Sequence, residues 1–248
     1  MKKIILCTLY AVLLGMSSFI YSSDQTFTFP KPNLNDLKQK KLWSTFYHIW
    51  PAKEVKQGYH LLNKENQPIS KLITAKDLCM GGIEGTIQVK SLDGNYNTFN
   101  YVDHKGNQQL DCASILNIRK SWINSIGKTR YQIAKGAYGD GVKNFKLIPY
   151  RTIAVDPKII PYGTVIYIPQ ARGKIIKLPS GIEVHHDGYF YAADTGGAIK
   201  GNHIDVFSGI YLKNPFPNFI KSKNSNTFSA YIINDKEIEI VLRSEHLK

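Results

Sequence analysis

The sequence predicts a mainly β protein, with a small barrel in the C-terminal half and a smaller α+β portion ahead of it. Three observations carry that expectation. From Pro149 onward, short β-branched or aromatic runs recur at 151–155, 164–168, 188–193 and 204–207. Gly or Pro punctuates them at Pro157, Pro161, Gly163, Pro169, Gly181, Gly196 and Gly209, which suits a barrel better than an α/β sheet. The 248 residues are 43% hydrophobic and 21% charged, enough to bury a core and unlike disordered, collagenous or coiled-coil chains.

Taken in order, Lys2 and Lys3 precede an apolar run at 4–14, and Ser17, Ser18, Ser22 and Ser23 follow it. This reads as an export signal over residues 1–23, cut between Ser18 and Asp24. As a retained membrane anchor the run is too short, and Gly15, Ser17 and Ser18 break it. Cys7 follows too few apolar residues to be a lipidation site. Residues 24–39 are polar and interrupted by Pro30 and Pro32, so they read as a linker or extended arm. The aromatic stretch WSTFYHIW at 43–50 reads as a strand stopped by Pro51. Beyond it, strand-like pieces at 85–90 and 98–102 are separated by turns at Asp93-Gly94 and Lys105-Gly106. Ile115, Ile118, Trp122 and Ile126 fall at helical spacing before a stop at Gly127. Residues 231–242 (YIINDKEIEIVL) read as one or two closing strands.

Signal removal takes away Lys2 and Lys3 and leaves 30 basic against 19 acidic side chains, a formal +11. Such a charge draws polyanions, and for an exported chain those are wall polymers or anionic lipids rather than nucleic acid. A solvated basic surface without a specific partner is the alternative. Cys79 and Cys112 remain as an isolated pair, expected to form a disulfide in an oxidising compartment. No CxxC spacing suggests zinc.

The densest chemistry lies in YAADTGGAIKGNHIDVFS at 191–208. Asp194 ends one apolar run, Asp205 sits at the start of the next, and Gly196, Gly197 and Gly201 lie between. Two carboxyls at neighbouring strand ends would raise each other's affinity for a proton, giving an acid protonated near neutral pH. Composition alone favours a plainer role, two aspartates capping backbone N–H groups. His185-His186-Asp187 and Gly139-Asp140-Gly141 read as polar turns. HExxH, GxSxG and a P-loop are absent, against a zinc protease of that type, an α/β-hydrolase or an NTPase.

The stretches RTIAVDPKIIPYGTVIYIP (151–169) and AADTGGAIKGNHIDVF (192–207) together resemble the 3D domain, named for three aspartates. This is the core of the MltA-type lytic murein transglycosylases. Asp156, Asp194 and Asp205 match its aspartates, and STFYHI (44–49) is similar to its first barrel strand. The resemblance implies a six-stranded double-psi β-barrel built from 40–60 and 141–248, with a small α+β subdomain inserted at 61–140. It further implies Asp205 as the catalytic acid, Asp194 as its partner across the cleft and Asp156 as a structural residue. Thr45, Tyr47, Gly196, Gly197, Lys200 and His203 are expected to contact the glycan, although Lys200 and His203 read equally as solvated loop residues. The implied protein is a periplasmic or secreted monomer that cleaves peptidoglycan strands to 1,6-anhydro ends without cofactor or metal. A non-catalytic, expansin-like glycan-binding module is the rival reading, and hydrolysis with Asp194 activating water a third.

Overall fold

The computed structural model describes residues 27–248, so the expected export signal at 1–23, Cys7 included, lies outside the described residues. Along the chain run β1 (Gln39–Tyr47), β2 (Trp50–Lys53), α1 (Ala75–Glu84), β3 (Thr86–Lys90), β4 (Tyr96–Asp103), α2 (Cys112–Leu116) and β5 (Arg130–Ile133). There follow β6 (Thr152–Ala154), β7 (Val165–Tyr167), β8 (Ile175–Lys177), β9 (Glu183–His185), β10 (Tyr189–Asp194), β11 (His203–Phe207), β12 (Phe228–Ile233) and α3 (Lys236–His246). Six strands close into a barrel in the order β1-β11-β6-β10-β7-β12, as the mainly β reading anticipates. Two neighbour pairs, β1/β11 and β6/β10, are parallel, and the other four are antiparallel.

Period-two alternation builds the barrel. Ile153 and Val155, Ile166 and Ile168, Phe190 and Ala192, Ile204 and Val206, and Phe228 and Ala230 share one buried cluster that fills the interior. The intervening residues Val165, Tyr167, Tyr189, Tyr191 and Ala193 face the other way and are covered by Ile238 and Leu242 of α3. A second unit is the sheet β2-β3-β4-β5 with α1, α2 and a 3₁₀ helix at Ser121–Lys128. Its core includes Leu61, Ile73, Leu78, Ile87, Val89, Phe99, Ile123, Ile126 and Tyr131. The disulfide Cys79–Cys112 joins α1 to α2.

Three local readings are corrected. The aromatic stretch 43–50 is two strands: β1 starts at Gln39 and ends at Tyr47, and β2 begins at Trp50 in the other sheet. Pro51 does not stop β2, because β2 is an edge strand with β3 as its single partner and can spare a backbone donor. The helix expected from Ile115 to Ile126 is broken: α2 ends at Asn117, whose φ of 52° is left-handed, and the chain restarts as the 3₁₀ helix. Residues 236–246 alternate like a strand yet form α3. Asp235 caps it by accepting from the N–H groups of Glu237 and Ile238, and Ile238, Leu242 and His246 bury one face at four-residue spacing.

The stretch read as a linker or extended arm is docked where it is described. The Phe29 N–H donates to Asp187 Oδ2 at 3.2 Å, and the Tyr189 hydroxyl donates to the Pro30 carbonyl at 2.9 Å. The Phe27 ring lies 4.0 Å from Arg151 Cζ. Arg151, fully buried, donates both terminal nitrogens to the Asp187 carboxylate at 2.6 and 2.7 Å and one of them to the Tyr189 carbonyl. Asp187, expected in a polar turn, is thus the buried partner of a fork-shaped cation.

Two outcomes follow. Arg151→Leu leaves a buried carboxylate without its cation and is expected to cost roughly 3–5 kcal/mol in urea unfolding. Replacing both Cys79 and Cys112 by Ala opens a loop of 33 residues. It should lower stability by roughly 3–4 kcal/mol, read from the same unfolding curves.

Candidate functional site

The site begins with strand register. On β11, Asp205 lies opposite Thr45 of β1 on one side and Ala154 of β6 on the other. Ala154 in turn lies opposite Asp194 of β10. Residues directly opposite on adjacent strands project to the same face, so Thr45, Asp205, Ala154 and Asp194 form one row across the outside of the barrel. Asp194 and Asp205 are therefore not on neighbouring strands, as their spacing suggested. They flank β6, whose alanine leaves the space between them open.

Asp194 reaches this row through a β-bulge. The β6/β10 register runs Tyr191↔Thr152 and Ala192↔Ile153, then skips to Asp194↔Ala154, leaving Ala193 as an extra residue. In a regular ladder Ala193 would oppose Ala154, and Asp194 would turn into the apolar interior. The extra residue is anchored: the Ala193 carbonyl accepts the Val142 N–H at 2.9 Å. Gly141 permits that approach, because a Cβ there would sit 2.2 Å from the same carbonyl oxygen.

The row opens into a cleft of about 570 Å³ between the barrel and the second unit. Phe46, Tyr47, Asp194, Gly196, Gly197 and Asp205 line one side, and Glu84, Thr86, Asn100 and Tyr101 the other. The Tyr47 hydroxyl donates to Asp194 Oδ2 at 2.7 Å, and the Thr45 hydroxyl to Asp205 Oδ1 at 2.6 Å. Burial pushes the Asp205 carboxyl up to about 6, with the Thr45 bond pulling down and the Asp194 charge adding to the rise. Burial likewise pushes Asp194 up to about 6, opposed by Tyr47 and by the Thr195 N–H. Asp194 thus has two donors favouring its charged form, and Asp205 has one donor and a like charge against it. Asp205 is the better placed of the two to carry the proton.

The remaining residues fall unevenly. Asp156 stands apart from the row: its carboxylate accepts the Lys158 and Gly201 N–H groups, which holds it below the usual carboxylate range and ties down the glycine loop. Gly201 needs its left-handed φ of 61°, whereas Gly196 and Gly197 have no such requirement and border the cleft. Lys200 is exposed and outside the cleft lining. His203 is buried, stacked on Trp43 with ring centroids 3.6 Å apart, so it does not meet the cleft directly. Among the described residues, no group of three or more His, Cys, Asp or Glu side chains is arranged to hold a metal ion.

Sequence reasoning missed Glu84. It is the last residue of α1, followed by the left-handed cap Gly85, and docking of the second unit brings it to the cleft. Burial and the Asp205 charge push its carboxyl up to about 7, and its Oε2 is 3.7 Å from His48 Nδ1. No local motif marks it, because its role depends on a tertiary contact.

The raised pKa of Asp205 has a stability consequence. With the folded value above the unfolded one, the native state binds more protons between about pH 4 and 6, so this group's contribution falls as pH rises through that window. Asp205→Asn keeps an oxygen to accept from Thr45 but carries no charge. Calorimetry should give it a higher Tm than wild type at pH 7, with the difference closing at pH 4. An equal or lower Tm at pH 7 contradicts the raised value.

With this geometry in view, residues 151–213 match the family described as the 3D domain. Over 59 residues the chain is 46% identical to YabE of Bacillus subtilis (strain 168) and 44% identical to the cell wall-binding protein YocH of the same organism. Those matches cover 23% of this chain but only 10% and 14% of the two relatives. Among solved structures, Escherichia coli MltA with bound chitohexaose aligns at TM-score 0.47 and 15% identity, over 77% of this chain and 71% of that one. A membrane-bound lytic murein transglycosylase from Agrobacterium tumefaciens aligns at TM-score 0.47 and 13% identity, over 82% and 76%. Residues 151–213, which contribute Asp156, Asp194 and Asp205, carry a 3D domain.

Proposed function

We propose that this chain is an exported lytic transglycosylase acting on peptidoglycan outside the cytoplasm. In this reading it cleaves the β-1,4 bond between N-acetylmuramic acid and N-acetylglucosamine. The observation that carries the reading is a carboxyl, Asp205, protonatable near neutral pH and open to a cleft shared with a second carboxyl, Asp194. The 3D domain match and its cell wall-related relatives support action on the wall. Asp205 gives its proton to the glycosidic oxygen as the C1–O bond breaks. Positive charge develops at C1 and the ring oxygen, and the Asp194 carboxylate, held by Tyr47 and Thr195, stabilises it. The muramyl C6 oxygen then bonds to C1, and its hydroxyl proton passes to Asp205. Asp205 ends protonated, so no water and no further acid is consumed. Asp156 holds the loop, and Tyr47, Gly196 and Gly197 border the sugar path.

A second reading, a glycan-binding module without catalysis, is favoured by one observation: the relative YocH is described as cell wall-binding. Mass analysis of muropeptides released from purified peptidoglycan separates the two. Transglycosylation gives anhydro ends one water lighter than hydrolysed ends. Binding alone gives no release, and reducing ends indicate hydrolysis. Asp205→Asn should lower release by roughly 10²–10⁴-fold while binding to insoluble peptidoglycan persists. The wild-type rate should decline as pH rises above about 6, because Asp205 loses its proton there.

A further inference from the structure

The C-terminal end of α1 carries a carboxyl that no donor of the fold holds. Glu84 is the last residue of that helix, the left-handed Gly85 follows it, and the last turn has no basic residue. The negative end of the helix dipole disfavours a carboxylate there. Glu84 lines the cleft, its side chain 18% exposed. The charge of Asp205 adds to the penalty, and among the described residues no lysine or arginine lines the cleft to offset it.

The other acids beside the cleft each have donors. Asp194 accepts from the Tyr47 hydroxyl and the Thr195 N–H, and Asp205 accepts from the Thr45 hydroxyl. Asp140, at the joint of the two units, accepts from the N–H groups of Lys135 and Gly136, with Lys248 Nζ 3.5 Å away. Among the described residues, none donates a hydrogen bond to Glu84. His48 Nδ1, just beyond β1, is 3.7 Å from its Oε2, too long for a hydrogen bond. Burial holds the His48 imidazole below its usual range, so at pH 7 it brings no charge. Tyr47 of β1 and Tyr101 of β4 complete the ionisable groups along this space.

Every neighbour therefore favours the neutral acid, and a neutral carboxyl has an O–H to donate. Consistent with this, burial and the Asp205 charge push Glu84 up to about 7. Such a placement costs stability and marks a group kept for a ligand rather than for the fold. A glycan in the cleft offers it acceptors on every sugar: hydroxyl, ring and acetamido oxygens. Resting on the glycan reading of the cleft, we infer that Glu84 is a glycan-binding residue whose carboxyl donates a hydrogen bond to an oxygen of the strand held against Asp205. The second unit thus grips the sugars as well as walling them in. Bond cleavage stays with Asp205 and Asp194.

Calorimetric titration with soluble, uncrosslinked peptidoglycan strands tests this. The Asp205→Asn protein is the reference, because it cannot take up a proton at 205 or use one to cleave the strand. Glu84→Gln and Glu84→Leu are added to it. Gln keeps an N–H donor and should bind at pH 6 within about twofold of the reference. Leu should bind about 3–10-fold more weakly, the value of one neutral hydrogen bond. Between pH 6 and 9 the reference should lose about the same factor relative to the Gln variant, because ionised Glu84 has no proton to donate. In buffers of different ionisation enthalpy, binding at pH 7 should take up roughly 0.3–0.5 proton more in the reference than in the Gln variant. Leu binding as tightly as Gln overturns the inference, and so does equal proton uptake or a net proton release through Glu84. If Glu84→Leu fails to fold, the pH and proton-uptake comparison with Gln decides. A Glu84→Gln protein with Asp205 intact that keeps KM but loses about 100-fold in kcat also overturns it, by making Glu84 part of the chemistry. Strand binding without product from wild type removes the proposed reaction alone, and the calorimetry still decides the contact. No strand binding at all overturns both.

Discussion

One extra residue in one strand governs the site. Ala193 has no partner on β6, and that bulge turns Asp194 from the barrel interior onto the outer row that already holds Asp205. Bulges of this kind re-aim side chains beside active sites in many sheets. Here the effect is all or nothing, because the side-chain period of a strand is two. With Asp194 on the outer row, both carboxyls look across Ala154 into the same cleft. In a regular ladder one would lie among Phe190, Ala192 and Val155, with no donor to meet it. The Val142 N–H on the Ala193 carbonyl and the bare Gly141 beside it hold the bulge in place.

The barrel alone would leave this row open to water. Burial is the main cause of the raised pKa of both aspartates, and residues of the second unit line the other side of their cleft. That unit also brings Glu84, so three carboxyls face one space. The units are joined closely at Asp140: its N–H donates to Asn100 Oδ1, its carbonyl accepts from Asn100 Nδ2, and its carboxylate accepts from the N–H groups of Lys135 and Gly136. On the far side, the buried Arg151–Asp187 pair ties the docked N-terminal stretch to the start of β6 and β10. The same short β6 therefore carries a structural cation at one end and the alanine between the acids at the other.

The barrel strands were legible because their alternation is strong and the turn residues between them are Gly or Pro. The acids were legible because they sit in a dense motif. What escaped was set by tertiary context. Ala192-Ala193 looks like the end of any apolar strand, and nothing nearby announces that one of the two is unpaired. Glu84 reads as the last residue before a glycine stop. The run KEIEIVL at 236–242 has a strand's period, but its Asp235 cap and the buried face of Ile238, Leu242 and His246 select a helix. His203 was read as a loop residue at the glycan; the parallel register with Trp43 places it behind Asp205 instead.

The central claim is that the two aspartates on either side of Ala154 share a buried site and titrate far from ordinary carboxyls. Carbon-13 NMR of the aspartate carboxyls, followed against pH in the intact protein, reads this directly. The account predicts that Asp194 and Asp205 both titrate near pH 6, each curve broadened by the other, while Asp156 titrates below the usual range. Asp194 and Asp205 titrating independently near pH 4 would contradict it.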